Sequence, residues 1–146
     1  MITVIQLVSK ASVTVDSTIV GAIDAGILAL VGLHSTDTEQ QAEQLLQKIL
    51  NYRIFRDDQG KTNLNLKDIG GGLLLVPQFT LVAETQKGLR PGFSKGMPPE
   101  PAKILFEYFV HFAKAQYPHV ESGQFGAMMS VALCNEGPMT FILSTE

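Results

Sequence analysis

The first third of the chain is a run of short apolar stretches in which β-branched side chains alternate with polar ones. Ile2-Thr3-Val4-Ile5-Gln6-Leu7-Val8 and Ala11-Ser12-Val13-Thr14-Val15 have this pattern, Asp16-Ser17 supplies a turn, and Ile19-Val20-Gly21-Ala22-Ile23 resumes it. Period-two alternation bounded by turn residues predicts strands, with a hairpin across Asp16-Ser17. Gly26-Ile27-Leu28-Ala29-Leu30-Val31-Gly32-Leu33 has no polar member, so it suits a strand buried on both faces and central in its sheet.

The period then changes. Thr36-Asp37-Thr38-Glu39 matches the Thr-x-x-Glu capping pattern, and Ala42, Leu45, Leu46, Ile49 and Leu50 recur on one helical face. A second helix is expected from Pro98-Pro99-Glu100, since proline is tolerated in a first turn. Its apolar positions are Ile104, Leu105, Tyr108, Phe109 and Phe112, and Pro118 stops it. Between the helices, Gly70-Gly71-Gly72 precedes Leu73-Leu74-Leu75-Val76; with no Gly-Lys-Ser/Thr ending and no Gly-x-Gly-x-x-Gly, it is a strand entry and not a nucleotide loop. Phe125–Cys134 and Met139–Ser144 form a closing strand pair around Gly137-Pro138. The expected architecture is one domain over residues 1–146, mixed α/β, with a mostly antiparallel sheet covered by two main helices.

Composition narrows the picture. A chain of 146 residues with 45% hydrophobic and 17% charged residues can bury a substantial core. The N-terminal stretch lacks the basic start and apolar run of a secretory signal, and no segment reaches the length of a membrane helix, so a cytoplasmic protein is expected. Cys134 is the single cysteine, which rules out an internal disulfide and a cysteine-ligated zinc site; its apolar neighbours predict simple packing. The net charge of −3 opposes indiscriminate binding to nucleic acid. It is unevenly spread: residues 51–95 hold seven Lys and Arg against four Asp and Glu, 7 − 4 = +3, leaving −6 for the remainder.

A search for side-chain reagents finds little. His34, His111 and His119 lack metal-ligand spacing, Gly-x-Ser-x-Gly is missing, and Asp57-Asp58 belongs to a turn-like Asp-Asp-Gln-Gly. No metal and no cofactor is expected. Two other segments carry candidate chemistry. In Val76-Pro77-Gln78-Phe79-Thr80-Leu81, Gln78 offers a donor and an acceptor, Thr80 a hydroxyl, and the backbone between them N–H groups suited to a developing oxyanion. In Asn135-Glu136-Gly137-Pro138-Met139-Thr140, the Gly-Pro step either makes a hairpin turn or, through the fixed φ of proline, holds neighbouring carbonyls in one rigid direction.

Taken together, Gln78-Phe79-Thr80-Leu81 and Asn135-Glu136-Gly137-Pro138-Met139-Thr140 resemble the two signatures of the D-aminoacyl-tRNA deacylases, Ser-Gln-Phe-Thr-Leu and Asn-x-Gly-Pro-Val/Phe-Thr. The likeness spans essentially the whole chain, through Ala11-Ser12-Val13, Tyr52-Arg53-Ile54-Phe55, Asn63-Leu64-Asn65 and Arg90–Gly96. The resemblance implies a barrel-like core and a cytoplasmic homodimer that hydrolyses the ester between a D-amino acid, or glycine, and the 3′ end of tRNA. It implies a cis Gly137-Pro138 bond, inserted into the partner's site, whose carbonyl oxygens hold the α-amino group and exclude an L side chain. It also implies that Gln78 positions the terminal ribose, that the Phe79 N–H faces the scissile carbonyl or the attacking water, and that Thr80 hydrogen-bonds locally. Either the tRNA 2′-hydroxyl assists, or Thr80 is the nucleophile, which would need an adjacent base. Two positions depart from the family pattern: Pro77 replaces Ser, removing a hydroxyl and an N–H, and Leu7 replaces an Arg that braces the Gly-Pro element. A non-catalytic dimeric module that keeps the fold and the RNA-end pocket is the alternative; activity is the expectation.

Overall fold

In the computed structural model, which describes residues 1–145, the alternating N-terminal stretches merge into one long strand, β1 (Ile2–Val15). Asp16 and Ser17 take φ of 48° and 64°, the left-handed pair that a two-residue hairpin turn requires. The chain returns as β2 (Thr18–Ile23) and crosses back as β3 (Gly26–Gly32), both antiparallel to β1. Helix α1 (Glu39–Asn51) follows, then a small antiparallel pair, β4 (Phe55–Arg56) and β5 (Thr62–Leu64), and the short helix α2 (Leu66–Ile69). Next come β6 (Gly72–Pro77), a 3₁₀ turn (Phe79–Val82), helix α3 (Pro99–Gln116), β7 (Val120–Ser122) and β8 (Ser130–Ser144).

The main sheet runs β2-β1-β3-β6-β7, with β8 paired to β1. Its antiparallel part is built on β1; its parallel part, β3-β6-β7, lies where α1 and α3 provide the crossovers that parallel strands need. The two ends of this order approach each other. A Cβ on Gly21 of β2 would stand 2.7 Å from the Ser122 carbonyl oxygen of β7, so glycine there permits the sheet to curl into a nearly closed barrel. At Gly26 a Cβ would fall 1.9 Å from the Gly72 carbonyl oxygen, so the first β3–β6 pair closes only with glycine.

Each central strand feeds both faces of the sheet, as its unbroken apolar run predicts. Ile27, Ala29 and Val31 of β3 and Leu73 and Leu75 of β6 pack under α1 and α3; Leu28, Leu74 and Val76 point the other way, into the barrel with Val8, Ala11 and Val13 of β1. On α1, Ala42, Leu45, Leu46, Ile49 and Leu50 are all buried as expected, but the N-cap is Thr38 and not Thr36. The box partner is Gln41, whose Oε1 accepts from the Thr38 N–H at 2.7 Å, while the Asp37 carboxylate takes the His34 N–H and the terminal amine of Met1, each at 2.7 Å. On α3 the buried set is Ala102, Leu105, Phe106, Phe109 and Ala113; Ile104, expected inside, is 69% exposed. The face that meets the sheet runs through Ala102, Leu105, Phe106, Phe109 and Ala113, and Ile104 falls outside it.

Two expectations for the C-terminal third are corrected. Residues 123–129 are not strand, and the segment after them is no hairpin: β8 is a single strand that passes through Gly137-Pro138 without reversing and stays antiparallel to β1 on both sides of it. Cys134, expected to be packed, is exposed, as is Lys10 opposite it, because β8 pairs with β1 alone and no helix covers that stretch.

Helices α1 and α3 are clasped by the Tyr108 hydroxyl, which donates to Glu43 Oε1. That bond, with the Glu43 charge beside it, pushes the Tyr108 phenol up to about 12 from its usual 10. The clasp is therefore intact below pH 10 and is lost as pH rises through about 12. In an ultraviolet titration of the tyrosines, Glu43→Gln is expected to bring one phenol back toward its ordinary pKa; an unchanged titration contradicts the clasp.

Candidate functional site

The polar interruption Gln78-Phe79-Thr80 sits where β6 ends. The Gln78 N–H still donates to the Val31 carbonyl of β3 at 2.7 Å, and the chain then tightens into the 3₁₀ turn. Successive strand N–H groups point to opposite edges, so the group that Pro77 lacks would face the β7 side. Pairing there ends at Leu75 with Ser122 and a bond from the Gly123 N–H to the Leu75 carbonyl. Proline is accommodated without loss of a ladder bond.

Within the turn, the Gln78 side-chain amide donates from Nε2 to Thr80 Oγ1. The amide oxygen of Gln78 and the hydroxyl proton of Thr80 remain for a ligand. Phe79 and Thr80 begin the turn, where N–H groups have no carbonyl one turn back to accept them. Both residues are exposed, and the Phe79 ring, 63% exposed, lies 5.3 Å from that of Phe93. The arrangement presents an amide, a hydroxyl, outward main-chain N–H groups and an aromatic shelf.

The second element is a large bulge. β1 advances two residues, Gln6 to Val8, while β8 runs back five, Thr140 to Asn135, so residues 136–139 leave the ladder opposite Leu7. The Gly137-Pro138 peptide within it is cis, and both residues are exposed. Asn135 fastens the base: its Nδ2 donates to the Leu7 carbonyl at 2.9 Å and to the Met139 carbonyl at 3.2 Å. Since the acceptor on β1 is main chain, the tie does not depend on which side chain position 7 carries. A smaller defect, one extra residue at Ser9 of β1, comes immediately after and switches the face that β1 presents to the barrel interior, from even positions (Val8) to odd ones (Ala11, Val13).

These two elements are not neighbours in one chain. Leu7 pairs with Ile27 and Ile27 with Leu73, so the bulge is level with the start of β6, whereas Gln78 follows its end. Five residues of strand, from Leu73 to Gln78, are about 17 Å, and the three strand intervals from β8 to β6 are about 14 Å. Neither of two surface clefts, of about 420 Å³ between β2, α3 and β7 and about 390 Å³ at Ala22–Ala25, includes Gln78, Phe79, Thr80, Gly137 or Pro138. The sequence brought both segments forward as candidates; Asn135 figures in it within the Asn-x-Gly-Pro signature and Phe93 within Arg90–Gly96, but neither carries a role there, because what each touches is set by the fold.

Such a structure defines a class: a mixed α/β barrel whose candidate chemistry rests on amides and main chain, with no group of three or more His, Cys, Asp or Glu able to hold a metal among the described residues. Residues 4–144 match the family model described as D-Tyr-tRNA(Tyr) deacylase, and the chain belongs to that family. It is 54% identical to the D-aminoacyl-tRNA deacylase of Pectobacterium atrosepticum over 145 residues, covering 99% of this chain and 100% of that one. It is 55% identical to the protein of the same name from Teredinibacter turnerae, with 97% of each covered. Among solved structures, the c-Myc DNA unwinding element binding protein superposes with a TM-score of 0.95 at 36% identity, over 100% of this chain and 99% of that one. A probable eukaryotic D-amino acid tRNA deacylase shares the fold, with a TM-score of 0.84 at 18% identity over 99% and 98%.

Replacing Asn135 with Ala is expected to loosen the bulge with little global cost, about 1 kcal/mol for two partly exposed bonds. Amide hydrogen exchange in the β1–β8 ladder on either side of the bulge should quicken at least tenfold while the melting temperature falls by only a few degrees; unchanged exchange contradicts the role given to Asn135.

Proposed function

We propose that the protein hydrolyses the ester joining a D-amino acid, or glycine, to the 3′ end of tRNA, and that it does so as a homodimer. The Gly137-Pro138 bulge of each protomer reaches the Gln78–Thr80 turn of the other. The observation that carries this reading is the separation of the two elements within one chain, together with membership of the deacylase family. A surface for pairing is at hand: Ile142, Val4, Leu30 and Val76 form one cross-strand row, fully buried at Val76 and 70% exposed at Ile142. An apolar row that surfaces beside the bulge favours a second copy as its cover.

In this composite site the Gln78 amide holds the terminal ribose and the Phe79 N–H meets the oxygen of the scissile carbonyl. Water adds to that carbonyl, the oxyanion is stabilised by the main-chain donor, and collapse breaks the bond to the ribose 3′-oxygen, which leaves with a proton. The neighbouring 2′-hydroxyl of the tRNA is the nearest group for that proton traffic. The Thr80 hydroxyl is a poor nucleophile here: its partner is the Gln78 amide, which cannot take a proton. The Gly137 and Pro138 carbonyls bind the α-amino group and occupy the space an L side chain would need, so chirality is read by exclusion.

With D- and L-tyrosyl-tRNA as substrates, the wild type is expected to release D-tyrosine and spare the L ester. Thr80→Ala should change turnover by less than about tenfold, where loss of a nucleophile would cost on the order of 10⁴. Gln78→Ala should lower kcat/KM about 10²-fold. A folded, dimeric wild type that releases neither D-tyrosine nor glycine overturns the reading and leaves a binding module.

A further inference from the structure

Immediately beyond the 3₁₀ turn, Glu84 and Gly92 exchange both backbone hydrogen bonds, at 2.7 and 3.0 Å, and close a loop, Thr85–Pro91, in which every residue is exposed. The base of this loop is firmly held. Glu84 Oε1 accepts the Gln86 N–H at 3.0 Å and Oε2 takes the Lys95 ammonium at 2.6 Å; that ammonium holds the carboxyl below its ordinary pKa. Lys95 is tied in turn to the segment between β3 and α1, its carbonyl accepting the Ser35 N–H at 3.1 Å, and Phe93 rests on Phe79 of the candidate site.

The tip is chemically different from the base. It carries Lys87 and Arg90, no acidic residue, and Leu89 fully in solvent between them. Among the described residues neither cation makes a hydrogen bond or ion pair, whereas Arg53 is engaged with Asn63 and Lys95 with Glu84. The charge of Glu84 is already matched by Lys95, so the tip contributes +2 to a chain whose net charge is −3. A polyanion approaching an acidic protein needs a local positive field where it docks, and this one stands on an anchored stem that begins at Glu84, four residues past Thr80.

We propose that Thr85–Pro91 is an arm that grips the phosphate backbone of the RNA next to the reacting 3′ end, with Lys87 and Arg90 each meeting a phosphate. The inference rests on the deacylase reading for its substrate. It adds affinity for the RNA and takes no part in the chemistry at the ester.

The test compares the wild type with the double variant Lys87→Ala/Arg90→Ala and the charge-keeping pair Lys87→Arg/Arg90→Lys, all on the full chain. On D-tyrosyl-tRNA the alanine pair should raise KM and leave kcat unchanged, and the charge-keeping pair should restore KM. Two phosphate contacts on a single strand add about 1.4 to the slope of log K against log salt, so from 50 to 200 mM salt the wild type should lose roughly sevenfold more affinity than the alanine pair. D-tyrosyl-adenosine, which lacks the backbone, should be cleaved equally by all three. Equal KM and equal salt slopes, or a fall confined to kcat, overturn the arm. Binding of uncharged tRNA by the same proteins decides the arm even if no ester is cleaved: a slope lowered in the alanine pair supports it and failure of hydrolysis then falls on the deacylase reading alone, while an unchanged slope overturns it.

Discussion

The pairing of β8 with β1 is the constraint on which the rest of the structure depends. Strand β1 holds β3 along its first half and β2 along its second, and β8 runs against it nearly throughout. Because both flanks of the ladder are in register, the mismatch of five residues against two around Leu7 cannot relax by sliding, since a slip would turn every side chain of the strand to the wrong face. The excess has one way out, away from the sheet, and it carries Gly137-Pro138 with it. Asn135 ties the neck to main chain on both sides. The exposed Gly137-Pro138 bulge is thereby held by the same ladder that holds the barrel.

The opposite end of the molecule obeys a different constraint. Strands β3 and β6 are buried on both faces and run parallel, so their ends can exchange no short hairpin and the chain must leave through turns and helices. Gln78 is the last residue that the β3 ladder fixes, and the residues after it are free to turn outward. The candidate chemistry thus stands at the junction of a rigid strand and an open loop, and the loop is steadied by the stem at Glu84 and Gly92 and by the Phe79–Phe93 contact.

Much of this was legible in the chain itself. The apolar run at Gly26–Leu33 identified a central strand, the stripe from Ala42 to Leu50 identified the covering helix, and Gln78–Thr80 and Gly137-Pro138 stood out as polar or rigid breaks in apolar surroundings. The features that escaped were set by tertiary context. Gly-Pro between apolar runs has the local form of a hairpin turn, and only the strand on the far side, β1, shows that the direction never reverses. Cys134 sits in an apolar sequence but on an exposed stretch of β8. Ile104 fits a helical stripe by spacing, but the buried stripe includes Ala102, Phe106 and Ala113 and leaves Ile104 outside. The parallel half of the sheet was likewise hidden, since direction is decided by the crossovers and not by the strands.

A mixed dimer distinguishes a site composed from two protomers, as proposed, from one complete within a single chain. One variant carries Gln78→Ala and keeps its bulge; the other keeps Gln78 and has residues 136–139 shortened to restore even pairing with β1. Each alone should keep no more than about one hundredth of wild-type kcat/KM toward D-tyrosyl-tRNA. After unfolding and refolding together in equal amounts, half the dimers are mixed and each of those has one complete site, so about a quarter of wild-type activity should return. Recovery to that level is what the account predicts; a refolded mixture of dimers that remains inactive would contradict it.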